Sequence, residues 1–228
     1  LKEPFKPEPD TTKLKPPVMS SFTPVYPPGA FGRAKIPDQP ASVLFRNATV
    51  WTSGPKGTIE NCDVLVERGK ITNVGPHLGT PKGAVVIDAK GMHVTPGLID
   101  CHSHTGVAGS VNEGTEAVTA EVRIGDVLDP DDISIYRELA GGLTIANVLH
   151  GSANPIGGQN QVIKLRWGAL PEEMKFEGAI PGVKFALGEN VKQSNWGDRY
   201  TSRYPQSREG VEQIIRDEFR AARDYERS

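Results

Sequence analysis

Val94-Thr95-Pro96-Gly97-Leu98-Ile99-Asp100-Cys101-His102-Ser103-His104-Thr105 is the stretch whose reading decides the fold. An apolar lead-in enters a Pro-Gly turn. A short strand follows and ends on histidines separated by one residue. Side chains alternate faces along a strand, so His102 and His104 are expected on one side, together with Leu98 and Asp100. Neutral imidazole is a frequent ligand of zinc and similar ions, and neighbouring rings suit a divalent cation. A bare His-X-His also reads as polar residues on a solvated face. The apolar lead-in and the acid at Asp100 favour the metal reading.

Downstream, Thr105 to Asn112 is Gly-rich and reads as a loop above the strand end, and Thr115 to Arg123 as a helical turn. Pro130-Asp131-Asp132 opens a helix that runs through Ala140 and stops at Gly141-Gly142. Leu143 to His150 is almost continuously apolar, as in a parallel strand buried on both faces. Strand, helix and strand together make a right-handed βαβ unit. His150 then lies at the strand end, either near substrate or a metal ligand, or simply hydrogen-bonded there. Gly151 to Gln159 reads as a loop. Its small residues suit close approach to a ligand or plain flexibility, and Gln159 is its polar candidate. Gln161 to Arg166 is a short strand, and Gly182 to Glu189 a longer one. Residues from Ser207 to Arg227 form an amphipathic helix through Val211, Ile214, Ile215, Phe219 and Ala222, with Ser207 as N-cap. Trp196, Tyr200 and Tyr204, in the loop before it, read as packing groups or an aromatic lid.

Upstream, Ser42 to Trp51, Asp63 to Glu67, Lys70 to Gly75 and Ala84 to Asp88 read as strands separated by Gly turns. A small antiparallel sheet or sandwich is expected there. His77 and His93 fall in this region and read as an exposed turn residue and a structural one. Residues 1–40 hold more than half of the 19 prolines. Such a segment has little aliphatic bulk to offset its ordering entropy, so it reads as a linker or extended arm, or as a proline motif for a partner.

A net charge of −2 gives no electrostatic case for nucleic acid or an anionic membrane. No apolar run reaches the length of a membrane span, and no signal peptide is visible, which leaves localisation open. The chain opens on Leu1 rather than Met, so a lost targeting segment stays open as well. Two cysteines, Cys62 and Cys101, are too few for a disulfide framework and read as buried small hydrophobes.

Pro96 to Thr105 resembles the first barrel strand of the metal-dependent amidohydrolase superfamily, with its Pro-Gly-(Leu/Phe)-Ile-Asp-X-His-X-His pattern. The likeness is nearest to the imidazolonepropionase-like and prolidase-like branch and runs from about Ser42 to the chain end. It implies an α/β fold: a Pro-rich arm (1–40), part of a composite β-sandwich (41–95), and the first half of a TIM-like (β/α) barrel (96–228). By this resemblance His102 and His104 hold a divalent metal, zinc by default, with one or two ions in the complete enzyme. Manganese, iron and cobalt stay open. Family members often bridge two metals with a carboxylated lysine or a glutamate. Glu189 stands at the end of its expected strand, whereas Lys184 would lie roughly 16 Å below it on the opposite face. Glu189 is therefore the expected carboxylate ligand, or else a turn cap, with Lys184 and Lys192 as alternatives. Asp100, His150 and Gln159 are expected in a supporting or substrate-contacting role.

The resemblance implies hydrolysis of an amide or cyclic amide C–N bond in a small molecule through a metal-activated water. The family's later histidines and its general base have no counterpart before Ser228. The expectation is therefore a fragment, inactive alone, that needs the remaining half of its barrel. Its open strand edges would favour association, including between copies. The competing reading is a catalytically inactive binding or assembly module of the same fold.

Overall fold

The computed structural model describes residues 40–197 and 202–228. Nearly all of the Pro-rich head, and Tyr200, lie outside the described residues. The first sheet is built on β1 (Ser42–Trp51), with β2 (Thr58–Glu67), β3 (Lys70–Gly75), β4 (Val85–Asp88) and β5 (His93–Val94). Its order is β3-β2-β1-β4, with β5 also on β1. β2 and β3 run antiparallel to their neighbours, but β4 and β5 run parallel to β1. The sheet is thus mixed, not antiparallel as expected. The reason is the connection through residues 76–84, which carries the chain from the β3 edge to the other side of β1.

Leu44, Ala48, Val50, Cys62 and Val64 are buried in this region. Alternation on β1 slips between Leu44 and Ala48, because an extra residue bulges the strand between Phe45 and Ala48. Asn47 takes that bulge at φ 61°, and its amide donates to buried Asp63 at 3.0 Å. The same carboxylate accepts from Leu78 N at 3.0 Å and pairs with Arg46 at 3.2 Å. Asp63→Ala should strand these donors and cost about 3 kcal/mol. The check is the urea midpoint, which should fall without a change in slope.

The second region holds β6 (Leu98–Ser103), α1 (Ile133–Ala140), β7 (Leu143–Val148), β8 (Ile156–Gln159), β9 (Gln161–Lys164), α2 (Pro171–Met174), β10 (Val183–Phe185) and α3 (Arg208–Arg227). β6 and β7 are parallel, as expected of a βαβ unit, with α1 between them in sequence. Asp132 caps α1 through Ser134 N at 2.9 Å and also receives Gly106 N at 2.8 Å, which ties the loop after His104 to the helix. Ile135, Val148, Ile163 and Met174 form the centre of the core beneath this layer, each fully buried. Ser207 caps α3 through Gly210 N at 3.2 Å.

Several expectations fail here. Residues 115–123 form turns and bends with isolated bridges to β8 at Val118 and Arg123, and the helical turn is a 3-10 turn at Ile124–Asp126. The expected loop ending at Gln159 contains β8. The short strand expected from Gln161 is present as β9 and runs antiparallel to β7. β10 is three residues long, pairs antiparallel with β8, and ends four residues before Glu189. Cys62 is buried as expected, but Cys101 is exposed. Leu98 and Ile99 are 61% and 66% exposed, so the start of β6 is left uncovered. Among the described residues no helix is long and apolar enough to cross a membrane.

Candidate metal centre

β6 is positioned by its Pro-Gly entry. A Cβ on Gly97 would lie 2.1 Å from Thr144 Oγ1, so only glycine lets the turn press against the start of β7. From there β6 pairs with β7, Asp100 beside Ala146 and Ser103 beside Val148. Three steps on one strand match two on the other, so the pleat is broken between them. Asp100 therefore does not share a face with His102 by simple alternation. Its carboxylate instead accepts His102 N at 2.9 Å and fixes the irregular backbone at that point.

Beyond this irregularity the imidazoles of His102 and His104 lie together, ring centres 5.2 Å apart and nearly perpendicular at 84°. His104 Nδ1 is 2.9 Å from the carbonyl of Leu149, at the end of β7. A carbonyl only accepts, so Nδ1 carries the proton and Nε2 presents a lone pair. His102 Nε2 is 3.2 Å from Lys184 Nζ on β10. An ammonium only donates, so this ring nitrogen is an acceptor too. Burial pulls the Lys184 pKa below the ordinary lysine value. The pair fits a divalent cation on these observations: the imidazoles lie side by side, the His104 ring is held through Nδ1 with Nε2 left to bind, and His102 Nε2 faces Lys184 Nζ, the position that an ion would share.

Lys184, rather than Glu189, is the side chain brought to the histidines. Glu189 is engaged by Arg208 at 2.7 Å and by Lys192 at 2.6 Å, which also accounts for Lys192. Among the described residues no three His, Cys, Asp or Glu side chains converge as a metal site would need. Gln159 sits on β8 and bonds Ala120 O at 3.0 Å. His150 is buried, its Nδ1 donating to Gly151 O and its Nε2 accepting Glu113 N, both at 2.9 Å. With both nitrogens in use, it orders the loop after β6 instead of meeting a ligand. Neighbouring Gly157 makes room for it, since a Cβ there would come within 2.5 Å of the ring.

Arg203 went unnoticed in the sequence, where it is one of many arginines. Its guanidinium donates to the carbonyls of Gly114, Glu116 and Ala153 at 2.7, 2.9 and 2.9 Å and of Val191 at 3.4 Å. It thereby pins the loops that follow β6, β7 and β10 to one another. Desolvation lowers its pKa. The signal that would have found it is structural only: partners so far apart in sequence leave no periodicity.

No family model matches the chain. It is 34% identical over 212 residues to the amidohydrolase tasK of Hapsidospora irregularis, covering 78% of this chain and 21% of that protein. Imidazolonepropionase of Rhizobium meliloti is 30% identical over 165 residues, covering 68% of this chain and 33% of the enzyme. A crystal structure of an amidohydrolase from Thermotoga maritima MSB8 superposes with a TM-score of 0.69 at 38% identity, over 81% of this chain and 48% of that one. The chain thus spans about half of the Thermotoga protein and a third or less of these curated relatives.

Proposed function

Because the chain belongs to the amidohydrolase superfamily, over the part of those proteins that it spans, we propose that it supplies the first metal ligands of a hydrolase acting on amide or cyclic amide C–N bonds. The observation that carries this is the meeting of His102, His104 and Lys184 at one strand end. His104 Nε2 and His102 Nε2 would hold the ion, with the Leu149 carbonyl fixing the first ring and the Asp100 carboxylate the backbone of the second. Lys184 would complete the set as a carbamate: its neutral amine adds to the carbon of carbon dioxide and releases a proton, giving an anionic oxygen ligand. A bound ion supplies Lewis acidity at the substrate carbonyl and lowers the pKa of a water. The general base and the remaining ligands would come from sequence beyond this chain, in the second half of a (β/α) barrel. Zinc is the default ion for imidazole nitrogens with one carboxylate-like oxygen.

The test is metal analysis of the full-length protein. It should carry about one or two zinc ions per chain, lose amidase activity on chelation, and regain it on adding zinc back. A full-length protein that neither holds nor takes up a divalent metal would remove this reading and favour a binding module of the same fold.

A further inference from the structure

His102 and Lys184 meet at one point, yet they stand in different sheets: β6 pairs with β7, which also carries β9, whereas β10 pairs with β8. Among the described residues no ladder joins β6 to β10, so strand pairing does not set the separation of these side chains. We propose that Asn147 and Asn160 set it, as positioning residues that tie one sheet to the other through consecutive hydrogen bonds. Calling what they position a metal site rests on the hydrolase reading; the bonds and the His102–Lys184 separation do not.

The joint is Asn160. β8 ends at Gln159 and β9 starts at Gln161, so this residue links the two sheets in sequence. Its backbone N–H donates to Gly182 O at 3.0 Å, at the entry to β10 and close before Lys184. Its Nδ2 donates to Asn147 Oδ1 at 2.6 Å. Ala146 and Val148 belong to the core on one face of β7, which puts Asn147 on the other face. There Asn147 Nδ2 donates to Cys101 O at 3.3 Å, the carbonyl of the peptide that leads into His102. That peptide lies where the β6–β7 pairing is broken, between Asp100 and Ser103. Both of its polar groups take side chains: the carbonyl takes Asn147, and the His102 N–H takes Asp100 Oδ1 at 2.9 Å. The peptide plane, and with it the direction of the His102 side chain, is thus held from both ends.

The amide orientations are forced. A carbonyl only accepts, so the end of Asn147 that faces Cys101 O is its nitrogen, and the other end is its oxygen. Asn160 must offer a nitrogen to that oxygen, which leaves Asn160 Oδ1 buried and, among the described residues, without a partner. Gly182 keeps the space beside it open, since a Cβ there would lie 3.0 Å from Asn160 Oδ1. A buried acceptor left unpaired lowers stability, so packing gives no reason for an amide at this place. The tie to Asn147 does: an apolar side chain of the same shape would bury without that penalty and would join nothing.

The experiment uses full-length protein with ¹⁵N-labelled histidine rings, first freed of metal and held at one pH. The His102 Nε2 signal is identified by its loss in His102→Ala, and Lys184→Ala shows which way it moves when the lysine is gone. Asn160→Ala and Asn147→Leu should move it the same way, because each cuts the tie between the sheets while leaving His102 and Lys184 in the chain. Asn160→Ala also deletes the unpartnered oxygen, so its melting temperature should stay within about 3 °C of the parent. If Asn147→Leu does not fold, Asn160→Ala carries the test alone. Zinc is then titrated against a chromophoric chelator, and a folded variant should hold it about tenfold more weakly than the parent. A ring signal left in place by Asn160→Ala or by Lys184→Ala overturns the proposal, and so does zinc held as tightly as by the parent. A group that serves stability alone would lower the melting temperature and leave the ring signal where it was. A parent that takes no zinc removes the hydrolase reading, and the ring signal then decides the proposal by itself.

Discussion

His104→Ala should strip the full-length enzyme of its more tightly held metal and lower turnover on the order of 10³-fold. The expectation rests on how the ring is held. Leu149 O accepts a hydrogen bond from Nδ1 at 2.9 Å, so the Nε2 lone pair is aimed before any ion arrives. Alanine removes both the donor atom and its support. The residue is exposed and lies just past the last pairing residue of β6, so the fold has little to lose. Stability should therefore change by less than about 1 kcal/mol. The measurement pairs zinc content with the thermal midpoint. A variant that keeps its zinc and its rate would move the centre away from this strand. A variant that simply unfolds is recognised by its midpoint, and His104→Asn then repeats the test with a polar group that still reaches Leu149 O.

How much of this was legible in the sequence depends on the range of the interactions involved. The Pro-Gly turn, the strand and the neighbouring histidines are local, and local pattern found them. The cap at Ser207 was readable for the same reason, a side chain reaching an amide a few residues ahead, whereas Asp132 read as a first-turn residue and is the N-cap itself. The parallel placement of β4 was not readable, because strand direction is set by the path of residues 76–84 and not by the strand's own residues. The sequence favours Glu189 over Lys184 only if a single strand runs straight from Gly182 to Glu189. β10 stops at Phe185, and the chain then turns to bury Val191. A usable signal lay in Val183-Lys184-Phe185. Apolar residues on either side of a lysine put it on the face opposite to theirs, and here the lysine is the least exposed of the three. Phe185 does pack, stacked on Phe219 of α3 at 5.9 Å, and Lys184 meets His102. His150 shows the opposite limit. Its strand-end position suggested function, but its partners, Glu113 N and Gly151 O, belong to loops whose course only the fold determines.

Lys184→Ala should cost the complete enzyme on the order of 10²- to 10³-fold in turnover, while Glu189→Gln should stay within about threefold of the parent. The asymmetry follows from position. Lys184 Nζ is 3.2 Å from His102 Nε2, and its desolvation favours the neutral amine, the form that adds to carbon dioxide. Glu189 is spent on Arg208 and Lys192 at a half-exposed surface, where ion pairs contribute little. A purely structural lysine and a ligand-forming one are separated by chemistry that alanine alone does not probe. If the carbamate forms, protein equilibrated with ¹³C-bicarbonate and zinc shows a carbamate carbon signal that Lys184→Ala lacks. A small carboxylate such as acetate or propionate should restore part of the lost rate by filling the vacated oxygen position. Lys184→Arg keeps the positive charge but cannot form the carbamate, so it should be as impaired as alanine and should not respond to the added acid. Full activity in Lys184→Arg would mean that charge beside His102 is all the site requires, and the carbamate would be discarded. A large loss in Glu189→Gln with unchanged zinc binding by Lys184→Ala would return the carboxylate role to Glu189 and require the loop at residues 186–190 to refold around the ion.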